Sequence, residues 1–89
     1  MEDKKSLIRK EKLNYIIAAY ADIWADVLLK KNLDLHLLQV KEDLRYLTYL
    51  INSKDIDHPH IYTYYMIAKE LIHFKNILNK KLKRLNAIL

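Results

Sequence analysis

Four side chains that could bind a metal ion lie close together in one polar segment: Asp55, Asp57, His58 and His60. Carboxylate oxygens and imidazole nitrogens are common zinc ligands, but structural zinc sites combine four ligands at characteristic spacings that this segment lacks. Aspartate and histidine beside a proline are also typical of turns and helix caps. We therefore expect a solvated loop at this segment and no metal site.

A second candidate site is Glu70 with His73, which forms a Glu-x-x-His pair on one helical turn. Di-iron helical bundles use such pairs, but they need two of them, together with further carboxylates that point into the bundle. The helical periodicity places Glu70 and His73 on the polar face, so we expect two solvated side chains. His36 lies off the apolar stripe of its own helix and is expected at the edge of the core.

The chain contains no cysteine and no glycine, which limits covalent catalysis. A thiolate nucleophile and a disulfide are both excluded, and no glycine-rich loop is available to bind phosphate or to form an oxyanion hole. Asp22 and Asp26 share a helix face, but Lys30 follows at the same spacing, so the pattern favours ordinary ion pairs. We expect that the protein is not an enzyme and binds no cofactor.

The composition predicts an all-α protein. One proline and no glycine in 89 residues argue against a domain built from tight β-hairpins, whose turns need residues with positive φ. The highly charged N-terminus is unlike a signal peptide, and no apolar run approaches the roughly 20 residues that span a bilayer. We expect one cytoplasmic domain.

Apolar residues spaced three and four apart predict three helices, over residues 13–30, 34–53 and 59–88. Short connections favour an up-down-up bundle. Pro59 is tolerated in the first turn of the last helix, which is long enough, at about 45 Å, to extend past its neighbours. The apolar residues among 1–12 do not fall on the same helix face as those that follow. We therefore expect a frayed segment or a helical extension there, and a helical-bundle domain over 13–89.

Each of the first two helices has a stripe that should face the core. The first stripe is Leu13, Ile16, Ile17, Tyr20, Ile23, Trp24, Val27 and Leu28. The second is Leu33, Leu37, Val40, Leu44, Leu47 and Ile51. Extending the first stripe past residue 30 would place charged residues in the core, so a turn at 31–34 must reset the phase.

The second helix also carries an apolar outer stripe opposite its core face: Leu35, Leu38, Tyr46 and Tyr49. Glu42 lies within it. Four aligned apolar residues over four turns indicate that something covers them, whereas scattered ones need no explanation. We expect a homodimer across this stripe, since symmetric dimers are the commonest assembly. A solvent-exposed stripe, or one covered within the chain, is the alternative.

Lys75 interrupts the apolar face of the last helix. It either fixes the register of this helix against its neighbour or lies beside the apolar face with its ammonium group in solvent. Beyond it the apolar face narrows, and we expect a partner to contact Leu82, Leu85 and Leu89. A basic cluster surrounds that face: Lys80, Lys81, Lys83 and Arg84. An acidic protein, nucleic acid or solvent alone could match this cluster, and a membrane surface is the least favoured partner.

These features predict a small non-catalytic protein-binding module, such as an inhibitor, an immunity factor or an assembly factor, with itself among its partners. The alternative is a nucleic-acid-binding accessory protein that uses the basic cluster. Enrichment in lysine, isoleucine, asparagine and tyrosine is typical of AT-rich coding DNA and suggests a phage, a plasmid or a low-GC bacterium as the source.

Overall fold

The computed structural model describes residues 4–53 and 58–88. Within these two ranges the chain is helical apart from short turns and contains no strand. The helices are α1 (Lys4–Ala18), α2 (Tyr20–Leu29), α3 (Leu33–Asn52) and α4 (His58–Ile88). The prediction of an all-α protein is confirmed.

α1 and α2 form one nearly continuous helical unit, because only Ala19 separates them. Ala19 keeps helical angles, with φ −75° and ψ −12°. Its N–H donates to the carbonyl oxygens of Tyr15 and Ile16, at 3.1 and 3.2 Å, and its own carbonyl accepts from the N–H of Ile23 at 3.0 Å. The described chain therefore has three helical units, as the periodicity predicts.

The first unit begins at Lys4, nine residues before residue 13, where the spacing of apolar residues places its start. Lysine, arginine, glutamate and leucine are strong helix formers, so propensity extends the helix where packing does not. Leu7 and Ile8 in this extension are both exposed.

The turn between α2 and α3 occupies residues 30–32, slightly earlier than the 31–34 that the phase change predicts. Lys30 and Asn32 both adopt left-handed backbone conformations, with φ 57° and 54°. The N–H of Lys31 donates to the carbonyl of Asp26 at 2.9 Å, and the N–H of Lys30 donates to that of Val27 at 3.3 Å. This is a Schellman ending, in which glycine is the usual left-handed residue.

The core lies along the contact between α3 and α4, which pack mainly against each other, with α1 and α2 added on one side. Phe74, Leu47, Leu50, Leu71, Leu78 and Val40 are the most completely buried side chains. The rest of the core consists of Leu13, Ile16, Ile23, Val27, Leu33, Tyr64 and Ile67.

The buried face of the first helical unit is narrower than predicted. Ile17, Trp24 and Leu28 are exposed, and Leu28 keeps 80% of its surface accessible. The buried residues Leu13 to Val27 span an arc of about 80° at 100° per residue, because the unit contacts only two neighbouring helices and both lie on one side of it.

The buried face of α3 is also rotated from its predicted position. Leu37, Leu44 and Ile51 are only partly buried, whereas Leu50 and Asp43, outside the predicted stripe, are buried. The cause is that α3 contacts α4 on one side and the α1–α2 unit on the other, so the centre of its buried face lies between the two.

The chain is elongated, with principal dimensions of 53 × 20 × 16 Å. It exposes 7000 Å² to solvent. A compact monomer of 10.7 kDa would expose about 5500 Å² by the usual scaling of area with mass. The difference follows from the elongated shape, because a long body exposes more surface than a compact one of the same mass.

In the part of the chain that the structure describes, no helix combines the length and the apolar character that a membrane span requires.

Candidate interaction surfaces

Three of the four outer-stripe residues of α3 are exposed on one face of the helix. Leu35, Leu38 and Tyr49 have exposed fractions of 62%, 62% and 69%. Tyr46 is placed differently, since it is partly buried against the core and the Nζ atom of Lys12 lies 4.1 Å from the centre of its ring. The chain itself therefore covers one member of the stripe and leaves three uncovered.

An ion pair lies between the exposed leucines and Tyr49. Nη1 of Arg45 donates to Oε1 of Glu42 at 2.8 Å, and both side chains are largely solvent-exposed. Exposed pairs of this kind contribute only a few tenths of a kcal/mol to helix stability. The outer surface of α3 is thus apolar at both ends and charged in the middle.

At the C-terminal end of α4, Leu82 and Leu85 are partly buried and pack against the chain's own core. Leu89, the third residue expected to contact a partner there, lies outside the described residues. In the basic cluster, Lys80, Lys83 and Arg84 are exposed and Lys81 is partly buried. No aspartate or glutamate occurs in residues 71–89, so the acidic groups that could neutralise this cluster would have to come from elsewhere.

A shallow groove of about 380 Å³ lies between α3 and α4, and the sequence did not reveal it. It is lined by Lys41, Leu44, Arg45, Thr48 and Lys75. The Thr48 hydroxyl donates to the carbonyl oxygen of Leu44 at 2.8 Å, as is common for threonine inside a helix. Lys75, which interrupts the apolar pattern of α4, is partly buried at this groove. Helical spacing places the four α3 residues on one face, and the packing of α4 against α3 adds Lys75.

A buried carboxyl group is the second feature that the sequence did not reveal. Asp43 is 8% exposed and accepts a hydrogen bond from Nε2 of Gln39 at 2.9 Å. Burial raises the pKa of Asp43, and the nearby charge of Lys12 opposes this shift. The Tyr20 hydroxyl is also buried and has no hydrogen-bond partner among the described residues. Burial, followed by the charges of Glu70 and Asp43, raises the pKa of Tyr20.

Asp26 joins α2 to α3. Its Oδ2 atom lies 2.6 Å from Nε2 of His36, so His36 is a partly buried partner of a carboxylate. This bond lowers the pKa of Asp26, and the side chain of Asn32 and the charge of Lys31 act in the same direction. The simple ion pair expected from the spacing of Asp26 and Lys30 is therefore replaced by a contact between helices.

Of the two side chains that were expected to be solvated, His73 is exposed and Glu70 is only partly exposed. The rings of His73 and Trp24 lie 6.0 Å apart, and Trp24 packs edge-on against Phe74 at 5.1 Å. Glu70 is partly buried on the side of α4 that approaches Tyr20. Both residues therefore belong to the contact between α2 and α4.

No group of three or more His, Cys, Asp or Glu residues that could hold a metal ion occurs within the described ranges. Asp55 and Asp57 of the polar segment lie outside those ranges, as do the side chains of His58 and His60. The expected solvated loop therefore stays a prediction.

The sequence matches no protein-family model, and neither a curated protein nor a solved structure shows significant similarity to it.

Proposed function

We propose that this chain is a small non-catalytic protein-binding module that acts through its helix surfaces, with a second copy of itself among its partners. The observation that carries the proposal is the exposed apolar surface of α3, where Leu35, Leu38 and Tyr49 are each more than 60% exposed. An elongated chain with more surface than a compact monomer is the form expected of a subunit whose partner covers part of it. An inhibitor, an immunity factor or an assembly factor would work in this way.

An up-down-up arrangement of the three helical units places this surface on the outside. The contact pairs support that arrangement: Lys12 contacts Tyr46, whereas Asp26, later in the first unit, pairs with His36, earlier in α3. The order of the pairs is reversed, as in antiparallel neighbours. The other described helices leave Leu35, Leu38 and Tyr49 exposed, and a partner molecule would cover them.

The positions of the polar groups favour contact over catalysis. Among the described residues, the groups with shifted pKa are Tyr20, Asp26, Asp43 and Tyr46. Active-site groups with shifted pKa usually line a cleft. Here these groups pack between helices, and the groove between α3 and α4 is lined by cations, a leucine and one threonine whose hydroxyl is already bonded to the backbone. The cytoplasmic location expected from the sequence stays a prediction.

Light scattering over a range of concentrations tests the proposal. We expect the wild-type mass to approach that of two chains at tens of micromolar, and a Leu38→Lys variant to remain a monomer. Tyr15→Lys is the matched control, because Tyr15 is also largely exposed but lies on α1, and it should behave as the wild type does. A wild-type protein that stays monomeric at these concentrations would remove self-association from the proposal.

Nucleic-acid binding through the basic cluster is the second candidate function. Lys80, Lys83 and Arg84 are exposed on a stretch of α4 that contains no acidic residue, which favours contact with phosphate groups. Binding of this kind is independent of base sequence and weakens steeply with salt, because each contact releases a condensed counterion.

Retention on heparin or duplex DNA as salt is raised tests this second function. Charge reversal at Lys80, Lys83 and Arg84 should abolish retention, while charge reversal at Lys30, Lys31 and Lys41, which are also exposed, should reduce it only slightly. If the wild type binds neither matrix at low salt, the second function is wrong.

A further inference from the structure

The exposed residues of α3 form a longer pattern than the apolar stripe alone. Starting from Leu35, the spacing runs three, four, three, four and three residues, which is the spacing of a coiled-coil seam. All six positions are exposed, whereas Tyr46 falls outside the pattern and is partly buried. We call these positions the outer seam: Leu35, Leu38, Glu42, Arg45, Tyr49 and Asn52.

The spacing of the outer seam is symmetric about a midpoint between Glu42 and Arg45. A second α3 that runs antiparallel and shares this midpoint would place Leu38 opposite Tyr49 of the second copy. Glu42 would lie opposite Arg45 of the second copy, and Leu35 opposite Asn52. Each charged residue then faces one of opposite charge, and each large apolar residue faces another apolar residue. Because the pair has a two-fold axis, every contact occurs twice.

The distribution of charge also favours a second copy at this helix. α3 carries three acidic and two basic residues, so two copies of α3 meet with little net repulsion. Residues 69–89 carry six basic residues and one acidic residue, and two copies of that segment would repel each other.

We propose that two copies of this chain associate through an antiparallel pairing of their α3 helices, with Glu42 of each copy paired to Arg45 of the other. The inference rests on the proposed function, since it specifies the register of the self-association that the function includes. In the pair, Glu42 and Arg45 of both copies form a ring of four alternating charges at the centre of the interface. Leu38 and Tyr49 pack on either side and shield it from solvent.

Charge reversal with mixing tests the register. Glu42→Arg alone places four positive charges at the centre, and Arg45→Glu alone places four negative charges there, so each variant should be monomeric by light scattering. An equimolar mixture of the two variants pairs two positive with two negative charges, and we expect it to recover dimers. Lys69→Glu is the control, because it makes the same change of charge as Arg45→Glu at an exposed position on α4, and it should still form dimers.

Each possible result either supports or contradicts the proposed pairing. Recovery of dimers only in the mixture supports the proposed pairing, because a charge pair within one chain cannot be restored by mixing. If both variants remain dimeric, self-association survives and this interface is wrong. If the mixture stays monomeric while circular dichroism shows both variants folded, the register is wrong. A monomeric wild type overturns the pairing together with the self-association on which it rests.

Cross-linking supplies a second test, which the absence of cysteine makes simple. A mixture of Leu35→Cys and Asn52→Cys chains should form a disulfide between copies under mild oxidation. Leu35→Cys alone should not, since the two copies of residue 35 would lie about 25 Å apart along the helix at a rise of 1.5 Å per residue. Efficient cross-linking of Leu35→Cys alone would indicate a parallel pairing and contradict the proposal.

Discussion

Replacing Phe74 by alanine should remove a large part of the stability of the fold. Phe74 is fully buried and contacts Tyr20, at 5.3 Å between ring centres, and Trp24, at 5.1 Å. Truncating a buried phenylalanine costs about 3–5 kcal/mol, because both the transfer energy and the contacts around the new cavity are lost. A chain of 89 residues has a total stability of about 4–13 kcal/mol. Phe74→Ala should therefore remove at least about a quarter of the total stability.

The assay is urea unfolding followed by fluorescence of Trp24, the only tryptophan, which lies directly against Phe74. Ile72→Ala is the matched control, because Ile72 is on the same helix but half exposed, and it should lose about 1 kcal/mol or less. If Phe74→Ala loses no more than Ile72→Ala, the packing of α2 against α4 around Phe74 is wrong.

Three further predictions concern polar and backbone positions. Asp43→Asn should stabilise the fold at neutral pH, since burial of the charged carboxylate opposes folding. Because the folded-state pKa of Asp43 is raised, wild-type stability should fall as pH rises from 3.8 through that pKa, and this fall should be missing in the variant. Asp26→Asn should be less stable than the wild type at neutral pH, and the difference should vanish as pH falls below 3.8 through the lowered folded-state pKa. Lys30→Gly should raise stability by about 0.5–1 kcal/mol, because glycine adopts the left-handed conformation without the cost of a Cβ atom. Chemical denaturation across pH measures all three, and a change of the opposite sign would contradict the reasoning in each case.

Helix positions could be predicted from sequence because they depend on local spacing. Leu33, Val40 and Leu47 recur at helical intervals and are buried as expected. The turn at 30–32 could be placed because the apolar phase changes there, and the start of α4 was indicated by Pro59. These signals lie within a few residues of the feature that they determine.

The width and direction of each buried face could not be predicted, because they depend on where the neighbouring helices lie. Trp24 and Leu28 are large apolar residues at positions predicted to face the core. Both are exposed, because α2 contacts its neighbours on one side only. The spacing of Tyr46 predicts a surface residue, but in the structure Lys12 of α1 lies over its ring. Asp43 is buried because two helices meet across its side of α3. The side of α3 that faces outwards is likewise a property of the assembled helices.

The central claim is that α3 offers its outer surface to a second copy, and small-angle X-ray scattering tests it most directly. α3 is the middle of the three helical units, so two copies paired across it lie side by side. At tens to hundreds of micromolar we predict a mass of two chains with a maximum dimension well short of twice the 53 Å length of one chain. The mass of a single chain, or a particle of two chains nearly twice as long, would contradict it.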